Sequence, residues 1–367
     1  MKERKPLCYQ DLEAKQKKRF FITMGTFALV LSLILIFFSA VLYTEKQHAR
    51  DSWDDYLSDL PEQAARVAQL SQNAAKAKVG TYVENIRELN IKGSTYRVEC
   101  MVWFDWEGDE ALDLANHFRV YKGVLNKKEL LDEYHEGNRH YQLVSIDVTV
   151  SKNSNTRRFP LDSQQLRLYI EATHPVQEII FEPDRDNSGM KPNLTLTGYE
   201  FLRNDIGAVS FVYESTHGHP ALESHEVTSE IVTAMEINRD GLGLYVKCFI
   251  AMVGTISWVL IALFLSSHHQ IDPISLLPGA LFGTVSNIMI GAALLPDALE
   301  MGLLEFVNIW GILTILSVAF AVISVNTVRK KHEEHAFANY YGRRLFFLIL
   351  FFAIAGQVIL PAIAYLW

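Results

Sequence analysis

The stretch Arg158-Phe159-Pro160-Leu161-Asp162-Ser163-Gln164-Gln165-Leu166 decides how the rest of this chain of 367 residues is interpreted. On either side of it, Val144 to Val150 and Leu166 to Ile170 alternate inward and outward side chains with the period of two that a strand has. The residues from Phe159 to Asp162 therefore predict a turn between two strands. Proline fixes its own φ, and an aspartate can hydrogen-bond the backbone two residues on, so we expect a stiff loop.

The pattern Phe-Pro-x-Asp-x-Gln, which begins at Phe159, resembles the signature loop of the pentameric ligand-gated ion channels, the Cys-loop receptor superfamily. In that family the loop presses on the membrane helices from above. Two cysteines close the loop in the animal receptors. This sequence has Lys152 and Leu166 at those positions, as expected of bacterial members.

The resemblance continues through the apolar half of the chain. After residues 235–239 come three apolar segments, a short basic linker and a fourth apolar segment, which is the order of the family's transmembrane domain. Gly279 to Phe282, Asn287 and Leu295-Pro296 resemble the pore helix and outer turn of bacterial members. The resemblance implies a homopentamer with an extracellular antiparallel β-sandwich and a four-helix transmembrane bundle. It does not include the residues before about position 95, which add an N-terminal transmembrane helix.

Composition agrees with a chain that is partly in the membrane and partly in water. Apolar residues make up 49% of it, and its mean hydropathy is +0.09, too apolar for an ordinary soluble chain and too charged for one that lies wholly in lipid. The net charge is −8, and most acids lie between Glu45 and Asp240. An acidic exterior argues against nucleic acid as a partner.

The first apolar segment, residues 20–43, contains no charge and is long enough to cross a hydrocarbon core of about 30 Å. We expect an uncleaved anchor rather than a signal peptide, because the apolar run is long and the only candidate cleavage site, at Ser39-Ala40, is poor. Residues 1–19 form a basic segment, and positive residues stay in the cytoplasm, so residue 45 is expected outside.

Four further spans follow at Tyr245–Ser266, Ile274–Leu295, Leu303–Val325 and Leu345–Trp367. With them, the basic linker at about residues 326–344 falls in the cytoplasm and the C-terminus outside, in agreement with the charge rule. We expect a multi-pass protein of the bacterial plasma (inner) membrane with a periplasmic or extracellular β-domain. Its partners would be membrane lipid, inorganic ions and four further copies of itself.

Residues 44–94 predict a helical segment, since apolar and small side chains recur at helical spacing between Arg50 and Arg87. This segment is either a spacer that covers the sheet or an accessory element for sensing or oligomerisation. Residues 95–240 predict the β-sandwich, in which Lys127 to Tyr134 has a helical pattern. Residues 241–367 predict the four-helix channel domain, with the pore helix at about 273–295.

The resemblance places candidate ligand-binding residues on the β-domain: Trp103, Trp106, His174, Tyr213 and His217. An aromatic box holds a cationic ligand through the ring faces, although these side chains can equally be ordinary packing residues. An unknown small ligand and a proton are both compatible with the acidic exterior. His217 and His219 are weak candidates for a metal site, with solvated loop histidines as the alternative. We expect no cofactor.

Residues expected to couple the β-domain to the channel are Phe159, Pro160, Asp162, Arg239 and Pro296. In the family an arginine at the place of Arg239 meets acidic groups from the loops, so Asp162 is its expected partner. A buried pair of this kind would cost several kcal/mol to break from one side. The alternative is a surface pair worth less than about 1 kcal/mol.

The pore face is predicted from spacing as well as from the resemblance. Side chains that recur every three or four residues share one helix face: Ser275, Gly279, Phe282, Ser286, Met289 and Ala293. In a ring of five copies, Phe282 and Met289 would form apolar constrictions that gate by dewetting. Asp272, before the helix, is either an acidic ring that favours cations or a helix N-cap.

The sequence contains no phosphate-binding glycine loop, no zinc-site spacing and no nucleophile elbow, so we expect no enzyme. The function that these patterns indicate is a pentameric channel that an extracellular signal opens. The alternative is a membrane receptor or scaffold of the same architecture that does not conduct. A transporter is weaker, since internal repeats and intramembrane ionisable residues are not evident.

Overall fold

The structure, a computed structural model, describes residues 9–216, 226–239, 242–269, 271–295, 301–331 and 334–366. The chain divides into two compact units. The β unit contains Gln47–Asn155 and Ser163–Asp240. The helical unit contains Met1–Lys46, Thr156–Asp162 and Gly241–Trp367, so the turn predicted around Phe159 groups with the helices rather than with the strands that flank it.

The β unit consists of two sheets. Its strands are β1 (Ala75–Asn90), β2 (Thr95–Glu107), β3 (Phe118–Val120), β4 (Gly123–Glu136), β5 (Arg139–Ser151), β6 (Ser163–Pro175), β7 (Ile179–Pro183), β8 (Gly189–Met190), β9 (Tyr199–Val212) and β10 (Val227–Arg239). One sheet has the order β4-β5-β2-β1-β7, with β8 paired to β1, and the other has the order β3-β6-β10-β9. The predicted antiparallel arrangement holds for all pairs except β1 with β7 and β1 with β8, which are parallel.

Both sheets contribute to one apolar core. Alternation buries every second residue of β2, β5 and β6, as the sequence pattern predicts for strands with one covered face. Val79, Phe104 and Val148 from the six-stranded sheet share this core with Leu168 and Ile231 from the other.

Two helical predictions in the β unit are wrong. Between positions 50 and 87 the only α-helix beyond the end of α1 (Ala14–Asp51) is α2 (Pro61–Leu70), and the chain then enters β1. Lys127 to Tyr134 lies within the edge strand β4. Both stretches contain good helix formers, but β1 pairs with β2 over most of its length and β4 pairs with β5, and strand pairing overrides local propensity.

A covering segment, residues 52–60, runs along the outer face of the four-stranded sheet. Trp53 and Leu57 are buried against Val232 and Ala234 of β10, and Ser58 forms a bridge to Ala208 of β9. The segment explains why β10 is buried on both faces from Val227 to Met235. Of the two roles that were open for residues 44–94, covering the sheet is the one this geometry displays.

The helical unit contains α1 (Ala14–Asp51), α3 (Leu242–His269), α4 (Leu277–Leu294), α5 (Leu303–Asn326) and α6 (His335–Leu366). In the described part of the chain, four helices are long and apolar enough to cross a membrane: α1, α3, α5 and α6. The predicted pore segment, 273–295, forms a short 3-10 turn at Ile274–Leu276 and then the 18-residue α4.

Helix α1 packs against the other helices near both of its ends. Near its start, Phe20 contacts the ring of Tyr340 at 5.8 Å between centroids, and Gln16 Nε2 donates to Glu334 Oε2 at 2.8 Å. Near its end, Phe38 stacks on Phe306 of α5 at 4.5 Å. The N-terminal span is therefore a packed member of this unit, although it lies outside the family resemblance.

Candidate functional site

The loop at residues 156–162, which we call the signature loop after the resemblance, is buried among the helices. Phe159 and Leu161 are 2% and 6% exposed and belong to an apolar cluster with residues of α1, α3, α5 and α6. Within the loop, Phe159 N–H donates to Thr156 O at 2.9 Å and Leu161 N–H donates to Arg158 O at 2.8 Å. These turns project two large apolar side chains, Phe159 and Leu161, from one short loop.

Polar contacts fix the loop to two helices. Leu303 N–H, at the start of α5, donates to Arg157 O at 2.6 Å, and the Arg157 guanidinium forms an ion pair with Glu45 of α1. Gly302 lies so close that a Cβ on it would overlap the Arg157 carbonyl. The loop therefore contacts the segment 296–305 at its α5 end, and it also contacts α1, which the sequence did not predict.

The neck of the loop is closed by polar contacts at Lys152, one of the two positions that the resemblance aligns with the disulfide of the animal receptors. Lys152 Nζ donates to Gln164 Oε1 at 2.7 Å, and Gln164 Nε2 donates to Asn155 O at 2.7 Å. Leu166, at the other cysteine position, is fully buried in the core of the β unit. This arrangement joins the end of β5 to the start of β6 without a covalent bond.

The remaining coupling residues are placed as follows. Asp162 is 1% exposed and belongs to the helical unit. Arg239, at the end of β10, lies with its guanidinium 4.7 Å from the centroid of the Tyr199 ring. The predicted pairing of Asp162 with Arg239 joins different units and stays a prediction, and Pro296 lies outside the described residues.

The face that the sequence assigns to the pore is an uncovered face of α4. The six predicted residues are all exposed: Ser275, in the 3-10 turn before α4, and Gly279, Phe282, Ser286, Met289 and Ala293 on α4 itself. Phe282 is 75% exposed and Met289 68%, whereas Ala280, Thr284 and Asn287 are buried. Since helix positions advance by about 100° per residue, the exposed and buried sets lie on opposite sides of the helix.

The buried side of α4 carries polar groups into the helix packing. Asn287 Nδ2 donates to Asn308 Oδ1 of α5 at 2.5 Å. Asn287 Oδ1 and Asn308 Nδ2 have no hydrogen-bond partner within the described residues. A buried polar pair between two helices fixes their register, because any slip would leave further polar groups unpaired in an apolar environment.

Asp272 lies in the turn between α3 and α4 and has several partners. Its carboxylate accepts hydrogen bonds from Lys330 Nζ and Asn326 Nδ2, both at 2.9 Å, and from the Ile274 backbone N–H. The Lys330 ammonium is the main reason that the pKa of Asp272 is lowered. The bond to Ile274 favours the capping alternative, and the ion pair offsets the charge that an acidic ring would need.

The two tryptophans of the predicted aromatic box point to opposite faces of β2. Trp103 lies over Gly80 of β1, where a Cβ would overlap its indole, and its Nε1 donates to Asp184 Oδ2 at 3.1 Å. Trp106 is 2% exposed in the core and stacks on His140 at 5.2 Å. A box that contains both tryptophans is therefore wrong, since residues three positions apart in a strand face opposite sides.

His174 and Tyr213 lie at the same end of the four-stranded sheet. The His174 ring is 5.0 Å from that of His117, and its Nδ1 is 2.9 Å from Glu178 Oε2. Tyr213 follows β9, and its ring packs on Phe211 at 4.7 Å. His217 and His219 lie outside the described residues, and within the described ranges no group of three or more His, Cys, Asp or Glu side chains is placed to hold a metal.

Tyr213 belongs to a charged cluster that the sequence did not single out. The carboxylate of Glu171 on β6 is completely buried and accepts two hydrogen bonds from Arg119, at 2.6 and 2.7 Å. The hydroxyls of Tyr213 and Thr228 both donate to Glu171 Oε1 at 2.7 Å. Four donor atoms therefore converge on this carboxylate, and Arg119 supplies the opposite charge.

Glu230 is a second buried carboxyl group in the same cluster, and it has fewer hydrogen-bond partners than Glu171. It lies directly opposite Glu171 across the pair of strands β6 and β10, is 3% exposed, and its Oε1 has no hydrogen-bond partner in the described part of the chain. Burial, and then the charge of Glu171, raises the pKa of Glu230 to about 8. The sequence signal was available, since a glutamate inside the apolar run of β10 has to be buried on one face or the other.

Comparisons with known proteins add no assignment to this geometry. No profile of a known protein family matches the chain, and no curated protein has a significantly similar sequence.

Proposed function

We propose that the chain is one subunit of a pentameric ligand-gated ion channel, in which a signal at the β unit opens a pore lined by α4. The observation that carries the proposal is the uncovered face of α4. A helix whose opposite side packs on its own bundle, and whose free side carries two serines among apolar residues, suits a water-filled path closed by apolar rings. Phe282 and Met289 are the side chains that would form those rings.

The buried signature loop supports gating from outside the helices. A short loop that leaves the strands, inserts Phe159 and Leu161 among helix ends and hydrogen-bonds Leu303 can transmit a displacement of β5 or β6 to α5. The buried Asn287–Asn308 contact then links α5 to α4. The two steps within the helical unit, from the loop to α5 and from α5 to α4, are direct contacts between packed groups.

The ligand-binding candidates support a site between copies rather than within one chain. Trp103 makes its contacts with Gly80 and Asp184 on the six-stranded sheet, whereas Tyr213 contacts Arg119 and Glu171 at one end of the other sheet. In a sandwich-based ring, two different faces of the β unit meet at each interface. The ligand is a small extracellular molecule or a proton.

The proposed orientation rests on the placement of the basic segments. The hydrogen bond from Gln16 to Glu334 brings the start of α1 next to the start of α6, so the described basic residues 15–19 lie at the same end of the helical unit as those of the linker that the structure describes. Basic residues stay in the cytoplasm, which puts the β-sandwich outside a bacterial plasma membrane.

The alternative, a receptor or scaffold that does not conduct, is favoured by one observation. Lys330 and Asn326 already engage Asp272, the only acidic residue proposed for the pore, and the rest of that face is uncharged. A pore without a ring of charge has little to attract ions through its apolar constrictions.

Thiol accessibility on α4 tests the proposal. In a background without Cys8, we expect S275C, F282C and S286C in lipid nanodiscs to react with a charged, membrane-impermeant thiol reagent, because the reagent needs water. F351C, on an exposed apolar position of α6, is the control that we expect to stay unreactive in lipid. If the three α4 cysteines are as inert as F351C, the face contacts lipid or protein and the pore assignment is lost.

A further inference from the structure

A cavity of about 660 Å³ lies on the β unit, under the covering segment 52–60 and beside the neck of the signature loop. Its walls come from the loop between β1 and β2, the turn between β3 and β4, the end of β5 with the two residues after it, and the outward face of β6. The volume is in the range of cavities that hold small organic ligands. The cavity shares no residue with the Glu171 cluster or with the candidates of the aromatic box.

Three cations line this cavity: Lys122, Lys152 and Arg167. No aspartate or glutamate is among the described residues that line it. Lys152 donates to Gln164, and Arg167 donates to Gln165 Oε1 and to Ser52 O, so these two cations are held by neutral groups. The Lys122 ammonium lies 5.1 Å from the Tyr121 ring centroid. Concentrated positive charge, in a lining that includes no described carboxylate, favours an anion.

Three tyrosines complete the lining: Tyr56, Tyr121 and Tyr169. Tyr56, on the covering segment, stacks over the Arg167 guanidinium at 3.3 Å from the ring centroid. Tyr121 and Tyr169 are in edge contact, with ring centroids 6.0 Å apart. Flat rings and a planar guanidinium provide stacking surfaces for a planar ligand, which an inorganic ion would not use.

We propose that the cavity lined by Tyr56, Tyr121, Lys122, Lys152, Arg167 and Tyr169 binds a small aromatic carboxylate. The carboxylate pairs with Lys122 and Lys152, while the ring stacks against tyrosine and the guanidinium of Arg167. The covering segment forms one wall, so the site depends on residues that the family resemblance does not include. The proposal concerns binding alone and does not require that α4 conduct.

The test measures binding of 4-fluorobenzoate to the full chain in nanodiscs of zwitterionic lipid, by the broadening of its ¹⁹F signal, with empty nanodiscs as the blank. We expect saturable binding that weakens about tenfold in K122Q and in R167Q, since each change removes a charge-assisted contact. K127Q removes an exposed lysine of β4 outside the cavity and should bind as the wild type does. Sulfate should compete more weakly than benzoate, and 4-fluorobenzylamine should not compete.

Arg167→Gln removes a contact with Tyr56 and can loosen the covering segment. In that case the test relies on Lys122→Gln, because the contact of Lys122 is with the Tyr121 ring, outside that segment. Circular dichroism establishes that each variant is folded. The proposal is overturned if the wild type shows no saturable binding, if K122Q binds as tightly as K127Q, or if the benzylamine competes as well as benzoate. Sulfate competition equal to that of benzoate would overturn the aromatic part of the proposal.

Discussion

Glu171 and Glu230 are opposed across two strands, yet their environments differ. Glu171 accepts hydrogen bonds from Arg119, Tyr213 and Thr228. Glu230 faces Glu171 itself, with Arg119 and Asp59 as the other charged groups that act on it. Burial and the nearby charge of Glu171 both disfavour ionisation of the Glu230 carboxyl, so Glu230 retains its proton.

Glu230 makes the stability of the β unit dependent on pH. Its pKa is about 8 in the folded chain and about 4.3 when unfolded, so the folded form holds an extra proton between these values. The contribution of Glu230 to stability is therefore complete below about pH 4 and is lost as pH rises through about 8. We expect Glu230→Gln to remove this loss and to melt about 5 °C higher than the wild type near pH 8.

The comparison is made by circular dichroism melting from about pH 5 to about pH 9. Glu200→Gln, which removes an exposed acid of β9, is the matched control and should follow the wild type. If the melting temperatures of the wild type and of Glu230→Gln change with pH in parallel across this range, Glu230 does not hold a proton in the folded chain.

Gly302 tests the contact between the loop and α5. A methyl group on residue 302 overlaps the Arg157 carbonyl, so we expect Gly302→Ala to displace the loop and to destabilise the helical unit by about 1 to 3 kcal/mol. Gly254→Ala on α3, where a Cβ meets nothing within 4 Å, is the control. Protection of residues 156–162 from hydrogen exchange should fall in the first variant only, and equal protection in both would refute the contact.

At the scale of elements, α4 makes the most specific functional prediction. Phe282 is the largest side chain on its uncovered face. If five copies of Phe282 close the path by excluding water, then Phe282→Ala widens the constriction and raises the leak current in bilayer recordings. Ile288→Ala truncates an exposed residue about 120° around the helix and should leave the current unchanged. Unchanged current in Phe282→Ala would remove this gate.

The strands also show which sequence patterns were sufficient to predict secondary structure. Alternation of apolar and polar side chains predicted β2, β5 and β6, because one face of each strand is buried in the core and the other is partly exposed. The helical prediction failed at β4. All residues of this strand after Gly123 are exposed, so its sequence does not alternate between apolar and polar side chains as a half-buried strand does. It also failed at β1, whose alanines fit a helix locally but whose hydrogen bonds go to β2 and β7.

At the scale of the whole molecule, the apolar segments of the sequence predicted where α1, α3, α5 and α6 lie, although α6 begins at His335, inside the predicted linker. The long-range polar contacts of these helices and of the signature loop were not predicted. The partner of Arg157 is Glu45, more than a hundred positions earlier, and no local pattern connects them. The Glu171 cluster likewise joins residues of β3, β6 and β10 that only the strand order brings together. Long-range polar contacts depend on topology, which hydrophobic periodicity does not encode.

The measurement that tests the central claim most directly is the symmetry of the full chain in lipid nanodiscs, determined from class averages in electron microscopy. The proposed channel requires five-fold symmetry, with the uncovered faces of five α4 helices around one axis. A monomer, a dimer or any other symmetry in native-like lipid would contradict the account, because no ring of α4 helices, and hence no pore of the proposed kind, could form.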